Sequence, residues 1–443
     1  MILSAANANG RAQNPDPPLF QTPRIFASVR TSGTDCHNEV VNTATYPEGL
    51  VVANLVGNDS KPDVAVVNPA TWNVSVLRNT GTWKATPLGI PCGLEPIAGS
   101  PFSIEDHIPV RDIDAVDMDA DLDLDLVLPV YSLITSAFRV AILKNNGGTF
   151  GTPEFIDLPA DMNSAVAVLV DDFNVDGRKD VVVAGSKTSG TQQKARAVLL
   201  RGLATSGYAT TVFDVSPTFP TSSGTSLTKG DIRQPTIPGR LDVVMGTDAN
   251  KMLVLINDPP QGNNIFLPSE QDSVGTQGIA FGKFKGQQLY AELAVGNASA
   301  FDEWKVFHAN AVGDFTSTAI TDDYRLWDGT HDATNPWGVA VGYFNPDKKA
   351  DVVVACSTGW PCNTGEPTHG GVAVFVGKGD VGGTFLAPGA LFCTDPNSNA
   401  SPKPRYVKVS DMNQDGFDDI VVTNTDDGTV CVLLNAYLAS GGY

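Results

Sequence analysis

The chain has 443 residues, of which 18% are charged and 42% apolar, with 43 Gly and 30 Pro. Acidic residues outnumber basic ones 49 to 29, a formal charge of −20, which argues against a protein that grips nucleic-acid phosphates or docks on anionic lipid through a basic face. No apolar run reaches the roughly 18 residues of a membrane span, and the Gly and Pro content favours many short strands joined by turns.

The opening stretch MILSAANANG has neither a basic n-region nor a long apolar h-region, so it does not read as an intact signal peptide. A first strand is predicted at Phe20–Phe26. From there one pattern recurs in chain order: a short apolar strand, a loop rich in Asp, Asn and Gly, then an acid that opens a second apolar strand. Its seven instances are NLVGNDSKPDVAVV (54–67), DMDADLDLDLVLPV (117–130), DDFNVDGRKDVVVAG (171–185), GDIRQPTIPGRLDVVMG (230–246), GKFKGQQLYAELAVG (282–296), YFNPDKKADVVVA (343–355) and DMNQDGFDDIVVTN (411–424). The closing acids are Asp63, Asp125, Asp180, Asp242, Glu292, Asp351 and Asp419, on average about 59 residues apart, a period typical of blade-type repeats.

After most of these acids comes another apolar strand with a shared ending, as in VSVLRNTGTW (74–83), VAILKNNGGTF (140–150) and MLVLINDPPQGNNIF (252–266). A weaker strand follows, so each unit reads as four antiparallel strands, A to D. Seven such units predict an all-β fold, a seven-bladed β-propeller. The seventh unit stops after its third strand, CVLLN (431–435), while Phe20–Phe26 resembles the fourth strand of unit two, Phe150–Ile156. The N-terminal strand is therefore expected to complete the last blade and remove an open sheet edge. This gives one propeller over residues 19–436, with 19–29 completing blade 7, an extension at 1–18 that reads either as an assembly arm or as a disordered terminus, and a tail at 437–443.

Three A–B loops carry oxygen ligands at positions 1, 3, 5 and 9: Asp117, Asp119, Asp121 and Asp125; Asp172, Asn174, Asp176 and Asp180; Asp411, Asn413, Asp415 and Asp419. Oxygen donors at alternate positions suit a hard cation, Ca2+, which takes about 6–8 oxygens in flexible geometry. Gly177 and Gly416 stand at position 6, where the loop turns sharply, and Leu122 departs from that pattern. Two loops are weaker candidates, with Asn345, Asp347 and Asp351 in the sixth and Asn54, Asp59 and Asp63 in the first. The fourth and fifth loops have lost the ligands, and there Asp242 and Glu292 are expected to hydrogen-bond within the hairpin.

IAFGKFKGQQLYAELAVGN and VAVGYFNPDKKADVVVA resemble FG-GAP repeats, and DMNQDGFDDIVVTNTDDGTVCVLLN is similar to the related VCBS repeats. The resemblance runs over about residues 20–436. It implies an integrin-α-like propeller with calcium in A–B loops on one face and partners bound mainly on the other.

Six cysteines, Cys36, Cys92, Cys356, Cys362, Cys393 and Cys431, occur without a CxxC spacing. Three disulfides stiffening the B–C and D–A loops fit the count, with Cys36–Cys92 one such pair, and six buried thiols are the alternative. No HExxH, GxSxG or P-loop pattern occurs among the sequence motifs of catalysis. His331–Asp332 beside Trp327 and Trp337, and Trp360 with His369, are loop groups able to stack on a sugar, or simply solvated loops with Trp anchors. No catalytic residue is assigned. The expected function is a secreted or surface calcium-binding module for a glycan or protein ligand. The alternatives are a homopolymeric extracellular filament joined through residues 1–18 and a calcium-dependent polysaccharide-active enzyme.

Overall fold

The computed structural model describes residues 24–27 and 46–435, except 58, 84–92, 216–220, 233–239, 250, 258–265, 274, 286–291, 298–302, 310–314, 316–322, 327–333, 361–368, 381–382, 387–389 and 395–402. Strand β1 (Arg24–Ala27) opens the described chain. Blade 1 follows with β2 (Leu50–Ala53), β3 (Asp63–Asn68), β4 (Asn73–Asn79) and β5 (Leu94–Pro96), and β6 (Phe102–Ser103) pairs with the start of β4. In blade 2 the innermost position is shared by β7 (His107–Pro109) and β8 (Asp114–Val116), both on β9 (Asp125–Ser132). Then come β10 (Ala137–Leu143), a small hairpin of β11 (Asn145–Asn146) and β12 (Thr149–Phe150), and β13 (Glu154–Asp157).

Blade 3 is β14 (Met162–Asp171), β15 (Asp180–Ser189), β16 (Gln192–Gly202) and β17 (Tyr208–Asp214). Blade 4 is β18 (Gly224–Gly230), β19 (Asp242–Thr247), β20 (Lys251–Ile256) and β21 (Leu267–Asp272); blade 5 is β22 (Thr276–Gly282), β23 (Glu292–Asn297), β24 (Glu303–His308) and β25 (Asp323–Arg325). Blade 6 is β26 (Thr334–Gly342), β27 (Asp351–Trp360), β28 (His369–Phe375) and β29 (Ala390–Cys393). Blade 7 is β30 (Pro404–Ser410), β31 (Asp419–Asn424), β32 (Thr429–Leu433) and, outermost, β1. All pairings within blades are antiparallel, and Arg24 faces Val432 while Ala27 faces Thr429. The predicted closure of the ring by the N-terminal segment thus holds over Arg24–Ala27.

Burial explains why the middle strands are unbroken apolar runs and do not alternate. Every residue of β3, β19 and β31 is buried, because a blade is covered on both faces by its neighbours. The hydrophobic clusters fall between blades. One joins Ala65 and Val67 of blade 1 to Leu126 and Leu128 of blade 2, and the series continues around the ring. The last joins Val64 and Leu77 of blade 1 to Val421, Val430 and Val432 of blade 7. That contact separates a closed ring from an open row of repeats. First strands of blades 2 to 7 line an axial cavity of about 90 Å³, partly open to solvent. At its walls Arg405 lies over the Trp337 ring at 4.4 Å, and its Nη1 is 3.3 Å from Glu48 Oε1.

Two cysteines depart from expectation. Cys356 lies within β27 and Cys431 within β32, both buried in inter-blade clusters and not projecting from the loop face. Strand alternation at those registers turns the side chains between blades. Cys36, Cys92, Cys362, Trp327, His331, Asp332, residues 1–18 and the tail 437–443 lie outside the described residues.

Candidate functional site: the A–B loops

The A–B loops of blades 1, 2, 4, 5, 6 and 7 are each held by their closing acid. All seven acids are buried. The pattern is clearest for Asp419: Oδ2 accepts from the main-chain N–H of Met412 at 2.9 Å, near the loop's start, and Oδ1 from that of Asn435 at 2.6 Å, just past strand C. Asp63 does the same with Leu55 and Asn79, Asp125 with Met118 and Asn145, and Asp351 with Phe344 and Gly377. As expected for the ligand-poor loops, Asp242 takes Ile232 and Asn257. Glu292 takes Phe284 and Lys285 with one oxygen and His308 Nδ1 with the other. One carboxylate therefore fastens three segments of a blade: loop, second strand and third strand.

The residue after strand C carries a role that the sequence reading missed. The side-chain amide of Asn79 donates to Met412 O in blade 7 at 2.7 Å, that of Asn145 to Leu55 O in blade 1 at 2.8 Å, that of Asn257 to Phe173 O in blade 3 at 2.6 Å, and that of Asn435 to Phe344 O in blade 6 at 2.7 Å. Each of these amides also reaches the carbonyl just before its own closing acid, as Asn79 does to Pro62 O at 3.1 Å. The signal was present in the recurring Asn of RNTG, KNNG, INDP and LLN.

Burial pushes these acids up from the usual carboxylate range: Asp63 and Asp180 to about 6, Asp351 to about 7 and Asp419 to about 8, with Asp125 also raised. Neighbouring acids add to the rise, Asp415 beside Asp419 and Asp119 beside Asp125. A cation placed among them would relieve both penalties.

In the blade 2 loop, ligand oxygens of Asp117, Asp119 and Asp125 lie within 4.8 Å of one another. Asp121 instead caps the N–H of Asp123. Leu122, 83% exposed, takes the left-handed backbone (φ 77°) that Gly177 (φ 84°) and Gly416 (φ 93°) take in the other two loops. The loop keeps its turn despite the missing glycine. The blade 3 and blade 7 loops share one bonding plan. Asp172 accepts from Asp176 N and Gly177 N, and Asp411 from Asp415 N and Gly416 N, while Asn174 Oδ1 and Asn413 Oδ1 accept from the same position-5 N–H. In blade 3, Asp180 Oδ2 is buried with no donor, an orphaned oxygen of the kind a cation satisfies. In blade 7, no basic side chain among the described residues forms an ion pair with Asp411, Asp415 or Asp419. Among the described residues, the carboxylates of the blade 2 loop alone converge closely enough to share one hard cation, and those of the blade 3 and blade 7 loops stand farther apart.

A basic partner does not separate the weaker loops from the others. Lys61 Nζ sits on Asp59 and Lys349 Nζ is 3.6 Å from Asp347, while in blade 2 Lys144 Nζ is 3.6 Å from Asp119 and in blade 3 Arg178 pairs with Asp176. Asn345 Oδ1 accepts from Asp347 N, and Asn54 Oδ1 is buried without a donor.

No family model matches the chain, and no curated protein matches it. Among solved structures it is similar to BBS1N in complex with ARL6DN, in a lead-soaked crystal, at 11% identity and a TM-score of 0.50, covering 94% of this chain and 98% of that one. A mercury-soaked crystal of the same complex gives 12% identity and a TM-score of 0.49, covering 94% and 97%. At this identity the likeness concerns the fold, and the class it supports is the seven-bladed β-propeller. No helix among the described residues is long and apolar enough to cross a membrane.

Proposed function

We propose that this chain is a non-enzymatic binding propeller, braced by calcium in the A–B loops of blades 2, 3 and 7, that engages a protein partner on the opposite face. The observation that carries the calcium part is the convergence of Asp117, Asp119 and Asp125 oxygens within 4.8 Å, supported by the orphaned Asp180 Oδ2. Asp117, Asp119, Asp125, Asp172, Asn174, Asp176, Asp180, Asp411, Asn413, Asp415 and Asp419 would hold the ions. Bound calcium supplies positive charge that offsets the buried carboxylates and stiffens the loops. BBS1N, whose fold is similar, was solved with a protein bound, which is in keeping with a protein partner. The proposed calcium sites favour an extracellular address, where calcium is plentiful.

Calorimetry of the chelated protein tests the reading. We expect uptake of three calcium ions, a higher melting temperature on binding because the ion binds only the folded state, and loss of one ion in Asp415→Asn. Absence of calcium uptake overturns the calcium part. A surface pull-down and a glycan array, both blank with calcium present, overturn the binding part.

A further inference from the structure

On the face opposite the A–B loops, the crossing between blades 1 and 2 assembles an apolar ledge. Its elements are a 3-10 turn (Pro69–Thr71) leading to Trp72, the segment joining β6 to β7, and the loop after β9. Main-chain bonds tie them together: Ile104 N donates to Trp72 O at 3.2 Å, and Leu133 N to Asp106 O at 2.9 Å. Only Glu105 separates the two anchor points on the crossing, so Trp72, Leu133 and Ile134 share one stretch of surface. They are 43%, 42% and 74% exposed.

Two features mark the ledge as more than scattered surface apolarity. First, three of its non-glycine residues sit in the left-handed region: Trp72 at φ 56°, Glu105 at φ 53° and Ser136 at φ 53°. Side chains rarely adopt this backbone region, and strain of this kind concentrates at functional surfaces. Second, Glu105 and Asp106, on the segment that joins the two anchor points, are exposed, and neither takes part in an ion pair among the described residues. The ledge thus offers a large aromatic group, two aliphatic groups and two uncompensated carboxylates.

The geometry points to this ledge as the docking site for a protein segment that presents apolar side chains flanked by Lys or Arg. This rests on the binding reading above and names the surface and the partner's chemistry. Complementary charge selects the occupant: the two carboxylates attract a cationic peptide and repel nucleic-acid phosphates and anionic headgroups. Leu133 and Ile134 provide aliphatic contact that suits Leu or Met side chains better than sugar hydroxyls.

The test uses the full chain with calcium and two fluorescent probes, an amphipathic Leu/Lys peptide and its Leu/Glu counterpart, read by anisotropy at fixed ionic strength. We expect the Leu/Lys peptide to bind and the Leu/Glu peptide not to. Ile134→Ser and Glu105→Lys should each weaken binding at least tenfold. Leu267→Ser, an exposed apolar position on the outer strand of blade 4, and Asp157→Lys, on the outer strand of blade 2, should leave it unchanged. Ile134 is so exposed that its substitution leaves folding intact, which the calcium-dependent melting temperature verifies. Trp72→Gly, which suits the left-handed backbone, is a second variant expected to lose binding without losing fold. Binding that ignores Ile134→Ser and Glu105→Lys overturns the proposal, as does preference of the ledge for the Leu/Glu peptide, anionic vesicles or arrayed glycans. A pulled-down partner that survives Ile134→Ser and Glu105→Lys would overturn the ledge alone, whereas a blank pull-down and array count against the broader reading.

Discussion

Asn79 and Met412 are 333 residues apart in the chain, yet the side-chain amide of Asn79 donates to the Met412 carbonyl at 2.7 Å. This bond joins the first blade to the last. It is one of four equivalent bonds, and in each the main-chain N–H of the same Asn binds the closing acid of its own blade. The acid organises a blade, and the Asn ties that organised loop to the preceding blade.

Asn79→Ala removes both amide donors and leaves the buried Met412 carbonyl and the half-buried Pro62 carbonyl unmet. The expected loss is about 2–3 kcal/mol in denaturant unfolding, from the cost of stranding buried acceptors. A loss under half a kilocalorie would show that the staple is dispensable.

Blade 5 uses a different pair, Glu292 with His308 in place of Asp with Asn. The longer acid and the ring compensate each other in length. Glu292→Asp and His308→Asn should each destabilise by about 1–3 kcal/mol. The double variant, which rebuilds the pair of blades 1, 2, 4 and 7, should cost less than the sum, as coupled neighbours do. Additive losses would contradict the exchange.

Leu122 holds a left-handed backbone with its side chain almost wholly in solvent. Leu122→Gly relieves the strain and gives up almost no burial. The melting temperature should rise, equivalent to a net gain of about 0.5–1 kcal/mol. Calcium uptake by the blade 2 loop should persist.

His107 is buried and stacked on Phe155 at 3.9 Å. Burial first, then Arg139, lowers its pKa below 6.5, while the Ile104 main chain and then Glu105 and Asp106 pull the other way. The unfolded chain therefore takes up the proton before the folded one. Stability from this group is complete above about pH 6.5 and is lost as pH falls toward the folded pKa. His107→Phe keeps the stack, so its stability relative to wild type should grow between pH 7.5 and 5. An unchanged difference across that range would refute the assignment.

The sequence by itself determined the number of blades, the four-strand unit, the closing acids and the strand that completes blade 7. These follow from short-range signals, apolar β-branched runs bounded by Asp, Asn and Gly, repeated at a steady interval. It also marked the oxygen-rich loops, whose ligand spacing is local. What it left undecided lies between blades. The Asn after each third strand reads as turn punctuation until Met412, Leu55, Phe173 and Phe344 are seen at the far end of its bond. Cys356 and Cys431 read as loop-face residues until strand register turns them into the inter-blade clusters. Trp72 and Leu133 become one surface only because residues 104–106 hydrogen-bond to both. Local patterning fixes each blade, whereas contacts between residues tens to hundreds of positions apart arise only when the ring closes and neighbouring blades bury one another's faces.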